Sequence, residues 1–230
     1  MTDKGLPAWL VPLAEAAGRV RPEQLSAFLP PDEGGRESAI LILFGPGEGD
    51  TDPADEQGPV GDVLLIERAH DMRSHPRQVA FPGGAVDAED DGAVAAALRE
   101  AVEETGLDPS GVEVVCSLPP LFLPPSGFVV TPVLGWWRTP SPVSVVDPRE
   151  VASVHRVPLR ELLDPANRLQ VTHPSGYVGA AFRVSGLLVW GFTAGLLDRL
   201  MTLAGWEQPW DRGRHEELPP EMIGGPVRSR

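Results

Sequence analysis

Apolar runs of strand length recur along the chain between segments rich in Pro and Gly. Residues 38–44 (SAILILF) are almost continuously apolar, the pattern of a buried strand. After a polar, acidic stretch over 45–61, residues 63–67 resume as a strand, and the two predict a long-looped hairpin. Residues 111–118 and 128–137 (FVVTPVLGWW) read as further strands, the second with Pro132 at an edge or bulge. Residues 152–157 predict a strand leading into a short helix begun by Pro158, and residues 169–184 alternate around Ser175-Gly176 as a hairpin. A helix is expected from 189 to about 203. Residues 1–37 hold short apolar patches (Trp9-Leu10-Val11, Leu25, Phe28-Leu29) and a short helix opening at Pro22. They predict an N-terminal arm on a domain spanning 38–203, and the polar residues 204–230 predict a loose tail.

The longest periodic stretch lies before Gly106. Val94, Leu98, Ala101, Val102 and Thr105 form one apolar stripe at helical spacing, with Asp90 or Asp91 as N-cap and Gly106 as the residue that ends the helix. At 3.6 residues per turn, Glu100, Glu103 and Glu104 fall together on the far side of that stripe. Like charges so placed repel by a few tenths of a kcal/mol per pair, of which Arg99 relieves only part through Glu103. Two arrangements satisfy this pattern: a solvated face, or a face that holds a hard divalent cation, which takes carboxylate oxygens and bridges to phosphate. The approach Phe81-Pro82-Gly83-Gly84 adds a tight loop whose backbone comes close to a ligand before the chain turns into the helix.

Composition narrows the choice. A length of 230 residues and 42% hydrophobic content suit one globular domain. The net charge of −14 disfavours nucleic acid as a partner. Cys116 is the only cysteine, which excludes an internal disulfide or a cysteine metal cluster and fits a reducing cytosol. No apolar run is long enough to span a membrane, so a soluble cytoplasmic protein is expected. Asp50, Asp52, Asp55 and Glu56 lack the ligand order and glycine of a calcium loop and read as a solvated loop.

Against this acidic background, Arg68, His70, Arg73, His75 and Arg77 fall within ten positions and lead into the glycine loop. Guanidinium groups match phosphate through a planar donor fork. Acids for a cation and arginines for phosphate thus adjoin in the sequence.

The run Arg99-Glu100-Ala101-Val102-Glu103-Glu104-Thr105-Gly106-Leu107 resembles the second half of the Nudix box without a gap. The first half departs: Gly84 to Arg99 is one residue longer than the general box, and Asp90 or Asp91 stands where the box has Glu. Upstream, Leu64, Leu65, Arg68, Arg73 and Phe81-Pro82-Gly83-Gly84 are similar in spacing to the signature of the coenzyme A pyrophosphatase branch, as is the run from Trp190 to Leu197. Ile66, Ala69 and Arg77 depart from that signature, in which Thr, Ser and Gly stand. The resemblance implies an α/β fold, the Nudix α/β/α sandwich with a mixed β-sheet and a loop–helix–loop box. It also implies a metal-dependent diphosphatase acting on a nucleotide-type small molecule, as a monomer or homodimer.

In that reading Glu100, Glu103 and Glu104 hold Mg²⁺ or Mn²⁺, Arg99 orients them, and Glu103 or Glu150 takes a proton from water. Arg68 and Arg73 contact phosphate beside Gly83 and Gly84. The implied substrate is coenzyme A or an acyl derivative, cut to 3′,5′-ADP and (acyl-)phosphopantetheine. ADP-ribose, NADH, a dinucleotide, a nucleoside triphosphate or a non-catalytic nucleotide-binding module are the alternatives. Glu150 reads first as a helix-initiating or solvated acid. Trp136, Trp137 and His155 read as structural strand residues, with adenine stacking the other possibility for the tryptophans.

Overall fold

The computed structural model describes residues 5–31, 34–47, 59–69, 77–124 and 126–223. A mixed sheet carries the fold. Its strands are β1 (Arg36–Gly45), β2 (Asp62–Arg68), β3 (Val79–Ala80), β4 (Gly83–Ala85), β5 (Val112–Ser117), β6 (Leu121–Leu123), β7 (Phe128–Trp137) and β8 (Val151–Pro158). The path runs β3-β2-β1-β7-β5, with β4 also on β1, β6 on β7 and β8 on β2. β1 and β7 pair in parallel from Arg36–Phe128 to Phe44–Trp136, and the other pairings are antiparallel.

The continuous apolar run of β1 follows from burial on both faces. Ala39, Leu41 and Leu43 face the helix α3 (Gly92–Thr105) with Ala96, Ala97 and Ala101. Ile42 and Phe44 face the other way, toward α5 (Gly191–Leu203), whose Leu196, Leu197, Leu200 and Met201 are buried there. Helix, sheet and helix make the expected α/β/α sandwich. Trp137 is fully buried and Trp136 nearly so, which makes both core residues. Pro132 sits between the Leu121–Val130 pair of β6 and the Ser117–Val133 pair of β5, where its carbonyl accepts from Leu118 N–H. Its missing N–H therefore falls where one neighbouring strand gives way to the next.

A second sheet, ordered β11-β10-β9-β12, comprises β9 (Arg168–Thr172), β10 (Val178–Val184), β11 (Leu187–Val189) and β12 (His215–Glu217). β9 and β10 form the predicted hairpin. Between the sheets runs α4 (Leu159–Leu163), with Pro158 as its N-cap rather than its first residue.

Two expectations about the ends change. Before α2 (Pro22–Leu25) stands a further helix, α1 (Val11–Ala17), and Leu10, Leu13, Ala17 and Leu25 belong to the same core as α5. The expected loose tail carries β12, paired in parallel with β9, and Leu218 is buried beneath it. No helix among the described residues is long and apolar enough to cross a membrane.

Candidate active site

Helix α3 begins after Asp91, whose side chain makes no capping bond, and ends at Gly106 in the left-handed conformation (φ 68°). Its alanines let the helix approach the sheet closely. Residue orientation differs from the expected stripe in two places. Val102 is exposed, whereas Glu104 is buried (7% exposed) and turned toward the glycine loop. The three glutamates therefore do not share one solvated face: Glu103 is exposed, Glu100 half-buried and Glu104 inside. A backbone donor holds Glu104 inside, since Gly83 N–H donates to its Oε2 at 2.9 Å.

Close approach to backbone requires glycine at position 83, and at position 84 a side chain would displace the Glu100 carboxylate. A Cβ on Gly84 would collide with the Glu100 carboxylate, and one on Gly83 would collide with the Ala39 carbonyl and lie 2.7 Å from Ile40 Cα. The loop thus lies on β1 on one side and on the acids of α3 on the other.

Arg99 organises the outer part. Its Nε and Nη2 bind Asp90 as a fork at 3.0 and 2.9 Å, and Nη2 also donates to the Ala85 carbonyl at 3.0 Å. Nη1 donates at 3.0 Å to both Glu100 and Glu103. This answers the choice between Asp90 and Asp91: Asp90 is the acid that holds the arginine, and Asp87 N–H braces it at 2.9 Å. The Arg99 guanidinium, followed by the neighbouring backbone, holds the Asp90 carboxyl below its usual range.

Glu104 lies at the electrostatic centre. Burial pushes its carboxyl up to about 7; Gly83 N–H and Arg68 pull it down, and Glu100 and Glu150 push it up again. Arg68 and Glu150 thus act on the same group as the box acids. Burial also raises Glu100, against the opposing effect of Arg99. The sequence pattern did not show how Arg68 and Glu150 reach this place. Pairing of β2 with β8 shifts register between Glu67 (opposite Ser153) and Arg68 (opposite Val151). Such a bulge re-aims a side chain. Immediately beyond it, Ala69 N–H donates to the Glu150 carbonyl at 2.9 Å, tying the end of β2 to the turn before β8.

Arg73 lies outside the described residues, as do the acids of the 50–56 stretch. Arg77, the signature departure, is exposed and has φ of 59°, the left-handed region that glycine enters freely. His155 is structural, as expected: its Nε2 lies 2.7 Å from Ser153 Oγ, which donates to Glu67 at 3.0 Å, and burial lowers its pKa.

A Nudix-domain family model matches residues 53–174, more than half of the chain. The chain belongs to the Nudix family. It is 43% identical over 150 residues to the uncharacterized Nudix hydrolase NudL of Enterobacter sp. (strain 638), covering 62% of this chain and 75% of the relative. It is 40% identical over 154 residues to the Escherichia coli (strain K12) protein of the same name, covering 64% and 77%. Among solved structures, the Nudix hydrolase RenU of M. smegmatis shares the fold, with a TM-score of 0.51, 19% identity, and 81% and 99% of the two chains covered.

The donor set suits a hard cation. Among the described residues no three His, Cys, Asp or Glu groups form a metal cage. Mg²⁺ does not need one, because one or two carboxylates plus substrate phosphates and waters complete its shell. Glu100 and Glu104, one turn apart beside the glycine loop, provide carboxylates of that kind, and among the described residues the buried Glu104 accepts a hydrogen bond from Gly83 N–H.

Proposed function

We propose that this Nudix protein hydrolyses the diphosphate of coenzyme A or acyl-coenzyme A to 3′,5′-ADP and (acyl-)phosphopantetheine, with Mg²⁺ or Mn²⁺. The observation that carries this reading is the convergence on Glu104 of a phosphate-type cation, Arg68, with the box acids and the glycine loop. Substrate assignment is supported by the spacing of Leu64, Leu65, Arg68 and Phe81-Pro82-Gly83-Gly84, and by the lengthened loop from Gly84 to Arg99.

Glu100, Glu103 and Glu104 would hold the cation, which when bound neutralises the diphosphate and makes a coordinated water more acidic. Arg99, fixed by Asp90, keeps Glu100 and Glu103 aimed through charge-assisted hydrogen bonds. Arg68 binds a phosphate oxygen, with Arg73 as a second phosphate contact. Gly83 and Gly84 let the loop lie directly against β1 and the Glu100 carboxylate, beside the bound phosphate, and Gly83 N–H steadies Glu104. Glu103 or Glu150 accepts the proton of the attacking water. In this reading the catalytic unit spans 38–203, acts on a small molecule rather than nucleic acid, and works in the cytoplasm as a monomer or homodimer.

Product analysis with coenzyme A, ADP-ribose and NADH in parallel tests the reading. Release of 3′,5′-ADP from coenzyme A alone is the expected result. Turnover of ADP-ribose or NADH instead would keep the acid helix and overturn the substrate.

A further inference from the structure

Arg77 and Ser185 are the non-glycine residues with positive φ among the described residues (59° and 51°). A side chain in that conformation costs about 1–2 kcal/mol. For Ser185 the compensation is visible. It precedes Gly186 (φ 77°) in the tight turn between β10 and β11, and its N–H and Oγ donate to Glu161 at 2.8 and 3.0 Å. Arg77 has no such compensation. Its side chain is exposed, and among the described residues its guanidinium has no hydrogen-bond or ion-pair partner.

Its position gives the strain a use. Arg68 N–H donates to the Gln78 carbonyl, so Arg77 leaves the backbone one residue from the arginine that acts on Glu104. On the other side of the same strand end, Ala69 is tied to Glu150. An exposed cation on strained backbone, next to the strand end that carries Arg68 in a protein of net charge −14, attracts an anion and adds to the positive groups available to a phosphate-bearing substrate. Strained residues that local contacts do not compensate cluster at ligand-binding sites.

We propose that Arg77 is a specificity residue that binds a phosphomonoester of the substrate remote from the scissile diphosphate. The inference rests on the coenzyme A reading, which supplies such a group in the 3′-phosphate of the ribose.

Direct binding separates the two claims. Titration calorimetry without metal would compare 3′,5′-ADP with 5′-AMP for the wild type, Arg77→Gly and Arg77→Lys. The wild type is expected to prefer 3′,5′-ADP by about ten- to a hundredfold, the effect of one charge-assisted hydrogen bond. Arg77→Gly removes that preference, and Arg77→Lys, which keeps the charge, retains part of it. Thermal unfolding controls for a purely structural role: Arg77→Gly relieves the backbone and should raise the midpoint by about 2–4 °C. In turnover, the KM ratio between dephospho-coenzyme A and coenzyme A should fall toward one in the glycine variant. A preference for 3′,5′-ADP that survives Arg77→Gly, or none in the wild type, overturns the proposal. Failure to hydrolyse coenzyme A, with the binding preference intact and dependent on Arg77, would sink the substrate reading alone.

Discussion

Two arginines in this molecule each gather acids, and they do so to opposite ends. Arg99 is about one-quarter exposed, and all of its nitrogens donate to Asp90, Ala85, Glu100 or Glu103. Arg168, on β9, is 1% exposed and poorly satisfied. Its Nη2 bonds Asp198 of α5, its Nη1 lies 3.6 Å from Glu207, and Nε and Nη1 make no hydrogen bond. Instead its guanidinium packs 5.4 Å from the Phe182 ring and 4.7 Å from that of Trp210. Burial lowers its pKa, with Asp198 and Glu207 opposing, whereas Asp90 raises that of Arg99. The buried arginine fastens β9, α5 and the segment around Trp210. The outer arginine fixes the direction of carboxylates and leaves Glu104 free to answer to the glycine loop. Under the proposed function, stability and chemistry are thus carried by different arginines.

That contrast can be broken from either side. Glu104→Gln should leave the fold intact and lower kcat by about three orders of magnitude, within the range for a positioned catalytic carboxylate. Arg168→Leu should do the reverse: unpaired Asp198 would cost about 3 kcal/mol in denaturant unfolding, with kcat unchanged. Proton linkage gives an effect of similar size in metal-free protein. The folded-state pKa of Glu104 is raised from 4.5 to about 7, so its contribution is fully present below pH 4.5 and is lost as pH rises through 7. Unfolding in a chelator should show about 3 kcal/mol less from this group at pH 8 than at pH 4.5, and Glu104→Gln should flatten that slope. Asp90→Asn, which loosens the fork on Arg99, should lower kcat/KM about ten- to a hundredfold, as partners behind metal ligands do. Val102→Lys, on the exposed side of α3, should change stability by no more than about 0.5 kcal/mol and leave turnover unaltered.

Elements with a burial pattern were legible in the sequence. β1, β7, the β9–β10 hairpin and α5 follow from continuous or alternating apolar positions, and α3 from its cap-to-glycine span. α1 was missed although Leu10, Leu13 and Ala17 stand at helical spacing, because the run is short and preceded by Pro7. β12 was illegible for a physical reason: His215-Glu216-Glu217 joins β9 through its backbone and offers no apolar alternation. At the site, Glu100, Glu103 and Arg99 could be named from spacing, but Glu104 could not be placed inside. Its burial depends on an N–H donated from 21 residues upstream. The placement of Arg68 and Glu150 near the same carboxylate depends on a bulge between strands far apart in sequence. Long-range backbone pairing, which no local period encodes, supplied both.

Under the proposed function the acids around Glu104 form a divalent-cation site. Mn²⁺ titration followed by electron paramagnetic resonance, on wild type, Glu104→Gln and Arg168→Leu at pH 8, tests it most directly. The wild type and Arg168→Leu should bind Mn²⁺ alike, and Glu104→Gln should bind at least about tenfold more weakly. Equal Mn²⁺ affinity in all three would rule out a cation site built on Glu104.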